Sequence, residues 1–317
     1  MKYFFLCCGV LAAAVLGGAH WACRSALRVD RARIGSARGL SRGLKTGDEQ
    51  RAYLEAVEAL LRAPCEQLTV RSFDGLTLSG RYYAGEDGAP LVIFFHGYRN
   101  SAERDGCGAF RLWQERGCGV LLVDQRGHGN SEGQITTLGI RDRQDCLSWV
   151  NEAVRRFGAQ TDILLMGVSM GATTVMMAAG MALPAQVRGI VADCGFTDPK
   201  AALCAAMRRR HYPLRLTWPL LYLGARLYCH GLDLCACTAP RALAHASVPV
   251  LLIHGEADPI VSCEMAYTLR DACASPVTLL TVPGAGHGTS CFTDGAAYRA
   301  AIDGFYRALF PKENCGE

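Results

Sequence analysis

Six continuous apolar runs of strand length alternate with helical patterns along the central and C-terminal parts of this 317-residue chain. Because these runs do not alternate in polarity, both faces of each strand are expected to be buried, as in a parallel sheet covered by helices. Two earlier runs do alternate and are joined by Asp74-Gly75, which predicts an antiparallel hairpin. The pattern predicts a doubly wound, mostly parallel sheet of about eight strands with an antiparallel start. The hairpin runs are 68–73 and 76–83, and the apolar runs are 91–95, 119–124, 163–167, 189–192, 248–254 and 277–282.

The N-terminus carries a different pattern. Residues 3–22 contain no formally charged side chain, with His20 taken as neutral, and are about long enough to cross a bilayer core. The positive-inside rule then predicts an uncleaved membrane anchor with the C-terminal body on the cytoplasmic side. A cleaved secretory signal that ends at Gly17-Gly18-Ala19, and hence a secreted protein, stays open as the alternative. The prediction rests on the basic cluster that follows the apolar stretch. This cluster contains one acidic residue, Asp30, and seven basic residues, Arg24, Arg28, Arg31, Arg33, Arg38, Arg42 and Lys45.

The chain divides into three segments. Residues 1–23 are the anchor or signal, and residues 24–65 hold the basic segment and an amphipathic helix predicted at 48–62. Leu54, Val57 and Leu61 are expected to form the apolar face of that helix. Residues 66–312 are the folded domain, with a helical cap inserted at about 197–245.

Composition excludes some classes of function. A net charge of +4 is mild and its excess is local, so no nucleic-acid partner is expected. Sixteen cysteines are scattered through predicted strands and helices rather than spaced as a disulfide framework, which favours a reducing compartment. Cys235-Ala-Cys237 lacks the two-residue spacing of zinc knuckles, so no metal is expected there.

The run 163–167 leads into Gly167-Val168-Ser169-Met170-Gly171, and a small-residue helical stretch follows. This is the strand-turn-helix context of a Gly-x-Ser-x-Gly nucleophile elbow. Glycines flank the serine because a Cβ there would strike the strand or the helix. Ser169 is therefore the candidate nucleophile, and the N–H of Met170 faces the site of developing negative charge.

Further candidates follow other strands, because chemistry collects at the carboxyl ends of parallel strands. After the first parallel strand comes His96-Gly97-Tyr98, a turn from which the N–H of Tyr98 is expected to complete an oxyanion hole with that of Met170. A plain strand-to-loop turn is the alternative. His128 lies before the nucleophile in a glycine-rich turn and is expected to shape that loop.

Asp258 and His287 follow late strands and complete the order Ser, Asp, His. His287 would take the proton of Ser169 during attack, while Asp258 would hold the ring tautomer. Asp193 and Glu256 are the competing acids.

In this order of motifs the chain resembles the α/β-hydrolase superfamily, and within it the serine-aminopeptidase-type hydrolases. The resemblance covers about residues 67–310 and rests on His96-Gly97, 124–131, 167–171, 248–259 and Gly286-His287. It implies a metal-independent serine hydrolase without a cofactor, whose triad is Ser169, Asp258 and His287. It does not imply aminopeptidase activity, since that family name also spans esterases, lipases and thioesterases.

The predicted function is a membrane-anchored serine hydrolase that cleaves carboxylic esters through an acyl-enzyme. Short- to medium-chain acyl esters or monoacyl lipids are the expected substrates, and Trp218, Leu220, Leu221 and Leu223 of the cap either line an acyl pocket or simply pack the cap on the core. Peptide, amide or thioester hydrolysis by the same triad is one alternative. A hydrolase-fold binding protein without activity is the other.

Overall fold

The computed structural model describes residues 2–31, 34 and 44–311. Within that part of the chain one eight-stranded sheet runs in the order β1-β2-β4-β3-β5-β6-β7-β8. The pairs β1/β2 and β2/β4 are antiparallel and every other pair is parallel, which confirms the predicted doubly wound sheet with its antiparallel start. The strands are β1 (Glu66–Arg71), β2 (Thr77–Tyr83), β3 (Leu91–Phe95), β4 (Gly119–Val123), β5 (Ile163–Val168), β6 (Val187–Asp193), β7 (Val250–Gly255) and β8 (Val277–Val282).

Helices cover both faces of the sheet. Every residue of β3, β4 and β5 is buried, as their continuous apolar sequences require. Successive side chains of β3 enter opposite cores: Ile93 lies in one apolar cluster, whereas Phe94 lies in the other. The helices are α1 (Lys2–Leu27), α2 (Gly47–Arg62), α3 (Ala102–Gln114), α4 (Asp142–Phe157), α5 (Met170–Ala178), α6 (Pro199–Arg209), α7 (Leu214–Tyr228), α8 (Ala239–Leu243), α9 (Glu264–Ala272), α10 (Ser290–Thr293) and α11 (Gly295–Leu309).

Helix α2 forms where the sequence predicts it but buries a different face. Thr46 and Glu49 cap its N-terminus reciprocally, each side chain accepting a hydrogen bond from the backbone N–H of the other residue. Tyr53 and Leu60 are buried, while Leu54 and Leu61, predicted to be buried, are about two-thirds exposed, with relative exposures of 63% and 64%. Val57, the third predicted residue, is partly buried against the core, so the predicted apolar face was right at Val57 and wrong at Leu54 and Leu61, because α2 docks through Tyr53.

The contact that orients α2 is aromatic. The Tyr53 ring meets the edge of Phe292 in α10 at a centroid distance of 5.5 Å. An edge-to-face pair of this kind contributes beyond the area it buries, so it favours the tyrosine over the leucines as the docking side chain.

The cap insertion consists of α6, α7 and α8, and α7 packs against α1. Ala19, Cys23 and Leu27 of α1 are buried, at spacings of four residues that place them on one helix face. A Cβ on Gly224 of α7 would collide with the carbonyl oxygen of Ala19, so the two backbones are in direct contact. Leu221 of α7 is fully buried in the same core. The C-terminal half of α1 is therefore built into the folded domain.

The N-terminal half of α1 has different surroundings. Val10, Leu11, Val15 and Leu16 are exposed. By length and composition the stretch Cys7–Leu27 could cross a membrane, a property that N-terminal signal sequences share. Anchor and signal both stay open as predictions. Of the basic cluster that decides between them, Arg33, Arg38 and Arg42 lie outside the described residues.

Candidate active site

Ser169 occupies a tight turn between β5 and α5. Its backbone has φ 55° and ψ −112°, a conformation that L-residues rarely adopt and that surrounding structure must enforce. Two glycines make the turn possible. A Cβ on Gly167 would collide with the backbone of Gly171, and a Cβ on Gly171 would collide with the carbonyl oxygen of Phe95. The backbone of the predicted nucleophile elbow is therefore present.

The structure brings Ser169, Asp258 and His287 together. His287 Nε2 lies 2.8 Å from Ser169 Oγ, and His287 Nδ1 lies 2.6 Å from Asp258 Oδ2. Because a carboxylate only accepts hydrogen bonds, Nδ1 carries the ring proton and Nε2 is free to accept from the serine hydroxyl. Asp258 is itself fixed, since the N–H groups of Ile260 and Val261 donate to its Oδ1 at 2.7 and 2.9 Å. This arrangement permits proton transfer from Ser169 to His287.

His254 also contacts the acid, a role that the sequence analysis missed. It is buried at the end of β7, with Nε2 3.4 Å from Asp258 Oδ2 and 3.0 Å from the carbonyl oxygen of Val261. Burial alone would raise the pKa of the Asp258 carboxyl, but its interactions with His254 and His287 outweigh burial and hold that pKa well below its usual value. The carboxylate of Asp258 therefore stays ionised. The only sequence signal for His254 is its position four residues before Asp258.

The competing acids do not contact the His287 ring. Glu256 is exposed and its Oε1 accepts from the Thr281 hydroxyl at 2.8 Å. Asp193 is buried at the end of β6, and its Oδ1 has no hydrogen-bond partner within the described part of the chain. Burial raises the pKa of the Asp193 carboxyl to about 7. Of the three acids weighed from the sequence, Asp258 is the one hydrogen-bonded to His287.

The predicted oxyanion donors flank the serine. Met170 follows Ser169 directly and begins α5. On the other side, a Cβ on Gly97 would lie 3.3 Å from the Cβ of Ser169, so the turn that carries Tyr98 packs against the nucleophile. The backbone N–H groups of Tyr98 and Met170 donate to no other described atom. Both are free to bind an oxygen atom at the site.

We call residues 96–101 the oxyanion loop. Asp105 of α3 holds it from below, with Oδ2 accepting from Gly97 N–H at 2.6 Å and Oδ1 accepting from the Asn100 amide. Burial raises the pKa of the Asp105 carboxyl to about 6. His128 Nε2 accepts from the N–H of Arg99 at 3.1 Å, so His128 supports the oxyanion loop, whereas the sequence analysis expected it to shape its own glycine-rich turn.

Helix α1 holds the same loop from outside. The Tyr98 hydroxyl donates to the carbonyl oxygen of Ala26 at 2.6 Å. The Arg99 guanidinium donates to the carbonyl oxygens of Ser25 and Arg28, each at 2.7 Å. Arg99 needs such support because its φ of 55° is unfavourable for a residue with a side chain. The last turn of α1 thus fixes the loop that carries one of the two predicted oxyanion donors.

Cys194 lies beside the acid and the base. Its Sγ and the polar atoms of Asp258 and His287 all lie within 4.8 Å of one another. Burial raises the pKa of the Cys194 thiol well above its usual value, so the thiol is protonated. Both ring nitrogens of His287 already have hydrogen-bond partners. With a protonated thiol and a fully hydrogen-bonded histidine, the group of Cys194, Asp258 and His287 fits acid–base chemistry on Ser169.

Comparisons with known proteins agree with this architecture. Residues 92–301 match the model of the alpha/beta hydrolase family. The chain is 26% identical over 234 residues to the uncharacterized protein YqkD of Bacillus subtilis, covering 73% of this chain and 75% of that protein. Among solved structures it is similar to the esterase Pf2001 of Pyrococcus furiosus, with a TM-score of 0.65 and 19% identity over 80% of this chain and 93% of the esterase. It is also similar to a puromycin-hydrolyzing peptidase of Mycobacterium tuberculosis, with a TM-score of 0.60 and 18% identity over 84% of this chain and 41% of the peptidase.

Proposed function

Since the chain belongs to the α/β-hydrolase family, we propose that it is a serine hydrolase that cleaves carboxylic esters through an acyl-enzyme. The observation that carries this proposal is the hydrogen-bonded line from Asp258 through His287 to Ser169, with Ser169 at a strained elbow. The low pKa of the Asp258 carboxyl supports its role as the acid, because an ionised partner stabilises the imidazolium that forms during attack.

The proposed reaction has two halves. His287 Nε2 takes the hydroxyl proton as Ser169 Oγ attacks the ester carbonyl, and the resulting oxyanion accepts hydrogen bonds from the N–H groups of Tyr98 and Met170. Collapse of this intermediate breaks the bond to the leaving alcohol, which receives the proton from His287. Water then attacks the acyl-enzyme by the same proton transfers in reverse, releasing the acid and restoring Ser169.

The proposed substrates are short- to medium-chain acyl esters or monoacyl lipids. Two features favour this class. The first is the apolar α1, which we propose to be an uncleaved membrane anchor. Its residues Ala19, Cys23 and Leu27 lie within the domain core, which favours retention of the helix. The second is the apolar character of α7 in the cap. The likeness to an esterase of known structure agrees with ester hydrolysis but extends only to the fold.

Amide hydrolysis is the second candidate. The same triad can protonate an amine leaving group, and one similar structure is a puromycin-hydrolyzing peptidase. A hydrolase-fold binding protein without activity is the third. A free nucleophile within hydrogen-bond distance of a base disfavours it.

The test uses the full-length chain in neutral detergent and p-nitrophenyl esters of increasing acyl length. Ser169→Ala should lower kcat by at least about 10⁴-fold, because it removes the nucleophile. Ser148→Ala is the matched control and should keep wild-type turnover, because among the described residues the Ser148 hydroxyl bonds only to Gln144 of its own helix, α4.

Three results separate the candidates. Turnover with an optimum of acyl length that Ser169→Ala abolishes supports the esterase. Cleavage of amides but not of esters supports the amidase. No cleavage, together with no labelling of Ser169 by a serine-directed fluorophosphonate, supports the binding protein.

A further inference from the structure

A large cleft lies where α1 enters the domain. It has a volume of about 1200 Å³ and lies beside the oxyanion loop, since Arg99 of that loop lines it. We call it the arginine cleft because five of its lining residues are Arg24, Arg28, Arg31, Arg99 and Arg210. No step of the proposed reaction uses it.

The cleft is strongly cationic. Its five guanidinium groups face two carboxylates, those of Asp30 and Glu132. Glu132 is partly engaged, because its Oε2 accepts from the backbone N–H of Thr77 at 2.6 Å. Two of the guanidinium groups, Arg31 and Arg99, donate to backbone carbonyl oxygens that carry no charge. The local field therefore favours an anion.

The other three arginines are available to a ligand. Arg24, Arg28 and Arg210 are exposed, and within the described residues their side chains form no hydrogen bond or ion pair. Each guanidinium presents a planar fork of N–H donors that matches two oxygens of a phosphate. Three such groups around one cleft can bind a phosphate that a single surface arginine would not retain.

The position of the cleft along α1 identifies the source of that phosphate. Trp21 and Arg24 lie three residues apart on the face of α1 that lines the cleft, and Arg28 follows directly after the helix ends at Leu27. The exposed aliphatic residues of α1 end at Leu16, eight residues or about 12 Å before Arg24 along the helix axis, and the exposed Trp21 lies between them. A tryptophan followed by arginines at the end of an apolar helix is typical of the depth at which lipid headgroups lie.

We propose that the arginine cleft binds the phosphate-bearing headgroup of an anionic phospholipid in the leaflet that α1 enters. Anionic lipids attract basic residues at the cytoplasmic surface, and a cleft that surrounds the headgroup adds directed hydrogen bonds to that attraction. The proposal rests on the proposed membrane insertion of α1, and it does not depend on ester hydrolysis. A bound headgroup lies next to Arg99 and so beside the oxyanion loop.

The experiment measures lipid binding to the full-length Ser169→Ala chain, which cannot consume an ester by the proposed mechanism. The protein is purified in neutral detergent micelles, and retained lipids are counted by native mass spectrometry after addition of phosphatidylglycerol or phosphatidylcholine with the same acyl chains. Phosphatidylglycerol should be retained about tenfold or more over phosphatidylcholine. Combined replacement Arg24→Gln, Arg28→Gln and Arg210→Gln should remove this preference while thermal unfolding stays cooperative.

The matched control replaces three exposed arginines that do not line the cleft, Arg62→Gln, Arg241→Gln and Arg307→Gln, and should keep the preference. Equal retention of the two lipids by the parent chain would overturn the proposal, and so would an equal loss of preference in the control. Displacement of phosphatidylglycerol by millimolar inorganic phosphate would overturn it too, since the cleft would then be a site for a soluble anion. Hydrolysis is not measured, so failure here leaves the proposed reaction untouched.

Discussion

The two sides of the candidate active site are held in place by different means. On one side, Ser169 sits in a turn whose geometry is set by the glycines two positions before and after it, Gly167 and Gly171. On the other side, the oxyanion loop is held by side chains and carbonyl groups from elsewhere, namely Asp105 of α3 and Ala26 of α1. The nucleophile is thus fixed locally, whereas one of its two predicted oxyanion donors depends on a helix about 70 residues earlier in the chain.

Because the two sides are held differently, each can be weakened by its own variants. The nucleophile side depends on the pairing of His287 with an acid, and the sequence offered both Asp258 and Asp193. Asp258→Asn should lower kcat by about 10³- to 10⁴-fold, because the amide favours the wrong ring tautomer. Asp193→Asn should cost far less, since its carboxylate does not contact the ring. Steady-state kinetics of both variants on one ester measures the two losses of kcat. A larger loss in Asp193→Asn than in Asp258→Asn would identify Asp193, at the end of β6, as the acid.

Asp193 should also make the stability of the protein depend on pH. Its carboxyl is buried and its pKa is raised to about 7, above the usual aspartate value of about 3.9. Between these values the native state binds the proton more tightly than the unfolded state, so this group's contribution to stability is lost as pH rises through the window. Asp193→Asn should therefore gain stability relative to wild type between pH 4 and 8, by no more than about 4 kcal/mol. Urea unfolding at both pH values measures the gain, and a difference independent of pH would contradict it.

The same contrast explains what the sequence could predict. The sheet, its antiparallel start and the elbow follow from local patterns, because apolar runs, Asp74-Gly75 and the spacing of two glycines each dictate a local backbone geometry. Ser169, Asp258 and His287 could be named because strand order alone brings the ends of β5, β7 and β8 to one edge. Their catalytic roles remain proposals.

No local sequence pattern predicts the contacts that hold the oxyanion loop. The bond from Tyr98 to Ala26 uses a backbone carbonyl at the C-terminal end of a helix, and every helix has carbonyls there whatever its sequence. The docked face of α2 was likewise decided by a distant partner, Phe292, and not by the spacing of its leucines. A truncation near residue 48 would remove the carbonyl groups that hold Tyr98 and Arg99.

The oxyanion loop can be weakened by removing its contact with Asp105 of α3. Asp105→Ala removes the acceptor of the Gly97 N–H and should lower kcat by about 10- to 100-fold, because a displaced Tyr98 no longer meets the oxyanion. KM should change less than kcat, since the lost contact is made mainly in the transition state. Asp105→Asn keeps one acceptor oxygen and should lose less. Equal KM and kcat effects in both variants would indicate a general loss of structure.

Removing the hydrogen bond between Tyr98 and α1 should have the smallest effect on kcat. It tests most directly whether α1 positions the oxyanion loop. Tyr98→Phe keeps the backbone N–H proposed to bind the oxyanion and deletes only the hydroxyl that donates to Ala26. One such hydrogen bond is worth about 1 kcal/mol, so kcat should fall by about fivefold if α1 positions the loop. Tyr222→Phe is the matched control, because it deletes a hydroxyl that bonds to Asp233 in the cap. If both variants retain wild-type kcat, the bond from Tyr98 to Ala26 does not position the oxyanion loop, and the contacts through Arg99 and Asp105 hold it without that bond.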